Sequence, residues 1–190
     1  MKNFLQIGAG VDVMPLLLEI KRQDLWDKNQ ARLYPTSPHR ETHDIWLRYN
    51  DEKKHKESGD YSTFNDPHDG VWYPAYYSLP AARPLIFSLM ARVEGERLGG
   101  VLIYSIPAGK KIYPHTDTGW HVDYFEKFNI CLQSNPEARF CYAGEAMVAK
   151  AGDVHWFVNN VEHQVFNGGE DDHIVMTVCI RTHNYGARVH

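Results

Sequence analysis

The rhythm of hydrophobic and polar positions changes at about residue 98. Before that point apolar residues recur at helical spacing in two places. Leu16, Leu17, Ile20 and Leu25 form a partial stripe that predicts a helix over 15–27. Leu85, Leu89, Met90 and Val93 predict a second helix within 81–97, stopped by the glycines between 95 and 100. Between them, DIWLRYN (44–50) reads as a strand, and the charged, turn-rich stretch 51–70 reads as an exposed loop. From residue 98 onward the pattern is a succession of short β-type runs: LGGVLIYSI, KKIYP, FNICLQ, ARFCYA, EAMVA, VHWFV, HQVFN and HIVMTVCIR. Turn signals such as PAGK, SNPE, KAGD and NGGED separate most of them, and no helical pattern intervenes. Eight such runs predict a compact, mostly β barrel or jelly roll, with the two N-terminal helices packed outside one sheet. No linker divides the chain. One domain over 1–190 is expected, with a helical and loop flank (1–97) and a β core (98–182).

Composition narrows the class without naming it. Hydrophobic content of 43% and charged content of 23% suit a soluble globular domain. A net charge of −4 argues against a nucleic-acid groove as the working surface. The N-terminal apolar runs are short and broken by Asp12 and Glu19, which predicts neither a leader nor a membrane span. Cys131, Cys141 and Cys179 are too few and too scattered for a disulfide framework, so a reducing, cytoplasmic setting is expected.

The candidate chemistry lies in KKIYPHTDTGWHVDYF (110–125). His-x-acid pairs in the chain include His39 with Glu41, His115 with Asp117, and His121 with Asp123. Position separates them. His115 and Asp117 stand at the end of a predicted strand, where residues two apart share a face and can grip one ion from the same side. A third ligand is expected from His163, which opens the run HQVFN. Two imidazoles and one carboxylate on one face of an ion, with the other positions open, are the arrangement expected of non-haem Fe(II) oxygenases. His155 is a rival ligand, and His121 and Asp123 read as residues at the rim or in contact with substrate. A surface histidine at 115 and a core histidine at 163 would show the same spacing, so the residues alone leave the choice open.

The stretches PHTD (114–117), FNICLQ (128–133) and GDVHWFVNNVEHQVFN (152–167), with HDIWLRYN (43–50) upstream, resemble the aspartyl/asparaginyl β-hydroxylase family of Fe(II)- and 2-oxoglutarate-dependent dioxygenases. The resemblance covers 98–182 and, more loosely, 34–50. It implies a double-stranded β-helix, with His115 and His163 as iron ligands and Asp117 completing the triad. It also implies 2-oxoglutarate and O2 as co-substrates, with ascorbate as a supporting reductant. The reaction implied is hydroxylation of an unactivated C–H bond, coupled to conversion of 2-oxoglutarate to succinate and CO2. The target would be the β-carbon of an aspartyl or asparaginyl residue, or a related amino-acid unit, in a peptide or small amino-acid-like substrate.

One departure stands out. Where the family has an arginine that clamps the far carboxylate of 2-oxoglutarate, this chain reads Asp172-His173-Ile174. Lys127 and Asn129 fall where the family often has an arginine and a histidine, and His173, Arg139 and Arg181 are further candidates. His173 and Arg181 lie about 27 Å apart at strand rise, too far to hold one five-carbon acid. Lys127 with His173 is therefore the expected clamp, with Arg181 in reserve. Trp46, Arg48, Trp120, His121, Arg139 and Trp156 are the expected pocket and substrate contacts. Two other classes fit the same runs: a cupin-type metalloenzyme that does not use 2-oxoglutarate, and a metal-free jelly-roll binding module.

Overall fold

The computed structural model describes residues 3–60, 70–183 and 185. In chain order the elements are β1 (Phe4–Gly8), α1 (Met14–Lys21), β2 (His43–Tyr49), α2 (Glu52–Ser58), β3 (Val71–Trp72), α3 (Pro74–Ser78) and α4 (Ala82–Arg92). There follow β4 (Arg97–Ile106), β5 (Lys111–His115), α5 (Trp120–Tyr124), β6 (Glu126–Gln133) and β7 (Ala138–Tyr142). The chain closes with β8 (Glu145–Met147), β9 (Val154–Phe157), β10 (His163–Asn167) and β11 (His173–Arg181). They form a seven-stranded sheet in the order β1-β9-β6-β11-β4-β2-β3 and a four-stranded sheet in the order β5-β10-β7-β8.

Period-2 alternation in the large sheet sorts apolar from polar side chains. Val101 and Ile103 of β4, Phe128, Ile130 and Leu132 of β6, and Ile174, Met176, Val178 and Ile180 of β11 point to one face. There they pack against Leu16, Leu17 and Ile20 of α1 and Leu85, Ile86 and Leu89 of α4. Each fully buried aliphatic or aromatic side chain of this kind contributes about 1.5–3 kcal/mol, so this face holds the fold. The intervening residues, Lys127 and Asn129 of β6 and His173, Thr177 and Cys179 of β11, turn inward between the sheets. The interior has its own apolar plug, in which Phe4, Tyr104, Ile106, Phe140, Phe157, Val165 and Val175 pack together.

Several expectations need correction. The stretch 51–58 is not loop but α2. Asp51 caps it by accepting hydrogen bonds from the backbone N–H groups of Lys53 (3.1 Å) and Lys54 (3.4 Å). Gly59 ends it at φ 70°. The pairs Lys56–Glu52 (3.1 Å) and Lys53–Glu57 (3.8 Å) brace its turns. This helix has almost no apolar face, so hydrophobic periodicity could not reveal it. Residues 61–69 of that predicted loop lie outside the described residues. α1 stops at Lys21, well short of 27. β1, unforeseen in FLQIG, extends the large sheet by pairing with β9.

Candidate metal centre

Pairing of β5 with β10 in the small sheet sets His115 directly opposite His163, with ring centroids 4.4 Å apart. Asp117 follows just beyond β5, where its N–H donates to the carbonyl of Asn159 (3.1 Å). One ligand atom from each of His115, Asp117 and His163 lies within 4.8 Å of the others, and His115 Nε2 is 3.7 Å from Asp117 Oδ1.

Both imidazoles are held by the same device. Nδ1 of His115 lies 2.8 Å from the carbonyl of Tyr113, and Nδ1 of His163 lies 2.8 Å from the carbonyl of Val161. A carbonyl only accepts, so each Nδ1 carries the hydrogen and each Nε2 keeps its lone pair. Burial lowers the pKa of His115 and takes that of His163 down to about 4. Both rings are therefore neutral at neutral pH, the form that ligates a metal. Burial alone would raise the Asp117 carboxyl, but the Lys127 ammonium paired with Oδ2 brings it below its usual range. Oδ1 faces His115 while Oδ2 is held by Lys127, which fixes the carboxylate's orientation. This donor set fits a first-row divalent ion with open coordination positions.

The triad opens into a cavity of about 1040 Å³. Its wall also carries residues that sequence reasoning missed. Arg32 and His39 come from the segment joining α1 to β2, Tyr49 from β2, Tyr104 from β4 and Thr177 from β11. The 27–42 segment is tied to the small sheet by the Tyr113 N–H to Pro38 carbonyl bond (2.9 Å) and by Arg40 stacked over the Tyr113 ring (3.2 Å). His39 meets the His115 ring edge-on at 5.2 Å. Arg32 Nη1 donates to Asp44 Oδ2 (2.8 Å), and the Asp44 side chain is fully buried. Thr177 left a trace in the sequence through alternation along HIVMTVCIR, and His39 through its spacing from Glu41. The segment around Arg32 and His39 has no periodicity to read.

The predicted contacts divide sharply. Lys127 and His121 line the cavity. His173 and Asn129 do not: with His155 and Cys131 they line a second cavity of about 20 Å³, which adjoins Tyr104 and Phe140. Burial takes the His173 pKa to about 4, so this ring brings no positive charge at neutral pH, against the expected clamp. Asn129 Oδ1 accepts from the Thr177 hydroxyl (2.6 Å). Arg181 is also misplaced. It donates to the Tyr124 carbonyl (3.3 Å) and pairs with Glu96 (3.8 Å), away from the cavity. Trp46 is buried in a separate cluster with Leu102. Arg48 donates to the Gly70 carbonyl, because a register shift between Trp46 and Arg48 sends Tyr49 to the cavity instead. Trp120 packs on Tyr124 and Phe125. Arg139 is exposed on β7, and Trp156 lies in the outer core with its Nε1 donating to Glu126 (3.1 Å).

No protein-family model and no curated protein sequence matches the chain. Solved structures do resemble it. A prolyl hydroxylase from Trichoplax adhaerens, in complex with a hypoxia inducible factor peptide fragment, superposes with a TM-score of 0.59 at 12% identity over 99% of this chain and 87% of that one. A 2OG-Fe(II) oxygenase-family oxidoreductase from Burkholderia pseudomallei gives 0.54 at 14% identity over 82% and 75%. The viral collagen prolyl hydroxylase of Paramecium Bursaria Chlorella virus-1, in its 2OG complex, gives 0.51 at 12% identity over 95% and 97%. The fold is a double-stranded β-helix. These structural neighbours are 2OG-Fe(II) oxygenases, and at such identities the likeness speaks for the fold alone. Among the described residues no helix is long and apolar enough to cross a membrane.

Proposed function

We propose that the protein is an Fe(II)- and 2-oxoglutarate-dependent dioxygenase that hydroxylates an unactivated C–H bond. The observation that carries this reading is the triad itself. His115, Asp117 and His163 offer two free Nε2 lone pairs and one carboxylate oxygen within 4.8 Å, at the wall of a roomy cavity. When bound there, Fe(II) with 2-oxoglutarate and O2 supplies the oxidising power, and ascorbate keeps the iron reduced. The protein's own residues do the rest. The Tyr113 and Val161 carbonyls fix the tautomers of the two imidazoles, and Lys127 steers Asp117. The apolar plug of Phe140, Phe157 and Val165 beside His163 keeps the inner side of the site dry.

The substrate assigned is the β-carbon of an aspartyl or asparaginyl residue, or a related amino-acid unit. The sequence resemblance supports this choice. A cavity far larger than one five-carbon acid, and a structural neighbour that binds a peptide, support a peptide substrate. The test is turnover. With Fe(II), ascorbate and O2, the protein should convert 2-oxoglutarate to succinate slowly alone and faster with peptides bearing Asp or Asn, followed by mass spectrometry. Bound iron with no succinate across that panel would favour a cupin-type metalloenzyme instead.

A further inference from the structure

The oxygenase reading leaves one charge without a partner. One carboxylate of 2-oxoglutarate joins its 2-oxo group at the metal, and the other needs a cation, since an unpaired carboxylate in a partly dry cavity is costly. β11 provides none: His173 lines the small inner cavity, and Arg181 is engaged with Tyr124 and Glu96. Lys127 is occupied in steering Asp117 through Oδ2, and it can keep that bond while Oδ1, on the His115 side, is left for a metal. Lys28 and Lys56 also border the cavity, but they are 57% and 61% exposed and paired with Asp24 and Glu52.

Arg32 remains, and its surroundings are those of an anchor. Its side chain is 15% exposed and lines the cavity. Of the five N–H groups of a guanidinium, one has a protein acceptor among the described residues, Asp44 Oδ2. Asp44 is itself enclosed, with a side chain 0% exposed and its backbone N–H bonded to Asp27 Oδ1 (2.9 Å). A buried ion pair is a weak source of fold stability compared with an apolar pair of the same size, so stability alone does not explain its place on a cavity wall. Arg32 shares its cavity with His39, His115 and Asp117 and with Tyr49 and Tyr104.

We infer that Arg32, on the segment between α1 and β2, binds the distal carboxylate of 2-oxoglutarate in place of an arginine on β11, with Asp44 positioning it. This rests on the oxygenase reading. It moves the clamp from the core of the β-helix to its N-terminal flank.

The test uses the whole chain loaded with Mn(II) and measures the affinities of 2-oxoglutarate and 2-oxopentanoate by calorimetry. The two acids share five carbons and the chelating end, and only the first has a distal carboxylate. Wild type should prefer 2-oxoglutarate by about tenfold to a hundredfold, the worth of a charge-assisted hydrogen-bonded contact. Arg32→Met alone would strand a buried carboxylate, so the working variant is the double Arg32→Met/Asp44→Asn, which removes both charges. It should bind Mn(II) as wild type does and bind both acids about equally, while Arg32→Lys should keep part of the preference. A double variant that retains the full preference, or a wild type with no preference, overturns the clamp. Metal-loaded wild type that binds neither acid overturns the oxygenase reading and the clamp with it.

Discussion

The interior of the β-helix holds two histidine sites of different kinds. At the mouth, His115 and His163 face each other across β5 and β10; deeper in, His155 and His173 border the small cavity. Burial lowers the pKa of all four. At the mouth each Nδ1 is tied to a carbonyl two residues back, which turns the Nε2 atoms toward one point where a carboxylate also stands. Among the described residues the inner pair has no carboxylate lining its cavity, which has room for about one water molecule. Burial makes a histidine neutral. Orientation and a neighbouring carboxylate make it a ligand.

The largest expected effect separates the two sites. His163→Ala should weaken Fe(II) or Mn(II) binding by about a hundredfold or more, beyond the 10- to 100-fold typical of partners behind a metal ligand. His155→Ala should leave it unchanged, as read by metal titration against a chelating dye. Next comes acid stability. The folded pKa of His173 is about 4 against 6.5 for the free group. The unfolded chain therefore binds more protons, and the contribution of neutral His173 is complete above pH 6.5 and lost as pH falls toward 4. The loss is up to about 3 kcal/mol. His173→Leu should flatten the urea-midpoint profile over that window without moving metal affinity. A smaller step is expected at Asp117. Its alanine variant should weaken metal binding by about tenfold, since two imidazoles remain. At the bottom of the scale, Arg139→Ala and Arg181→Ala should change 2-oxoglutarate affinity by less than about twofold in calorimetry, because neither side chain reaches the cavity.

The sequence made the triad legible because strand alternation and strand ends govern it. A histidine ending KKIYP and a histidine opening HQVFN can meet only if those strands pair, and they do. The eight runs of the C-terminal half appear as β4 to β11 for the same reason. The rest of the cavity wall was hidden. Arg32 and His39 sit in a segment shaped by turns and single hydrogen bonds, where no period marks an inward side. Tyr49 reaches the cavity through a register shift that reverses the alternation expected from DIWLRYN. His173 stands where the family has its clamp, while the packing of Tyr104 and Phe140 leaves it in a separate cavity. Local pattern predicts strands and their faces. It does not predict which interior residues share a void.

Anaerobic titration of Fe(II) and then 2-oxoglutarate, watched in the visible spectrum, tests the central claim most directly. The triad predicts a weak charge-transfer band that needs both components, saturates at about one equivalent of iron per chain, survives in His155→Ala and disappears in His163→Ala. Iron binding without a band on adding 2-oxoglutarate, or a band that persists in His163→Ala, would contradict it.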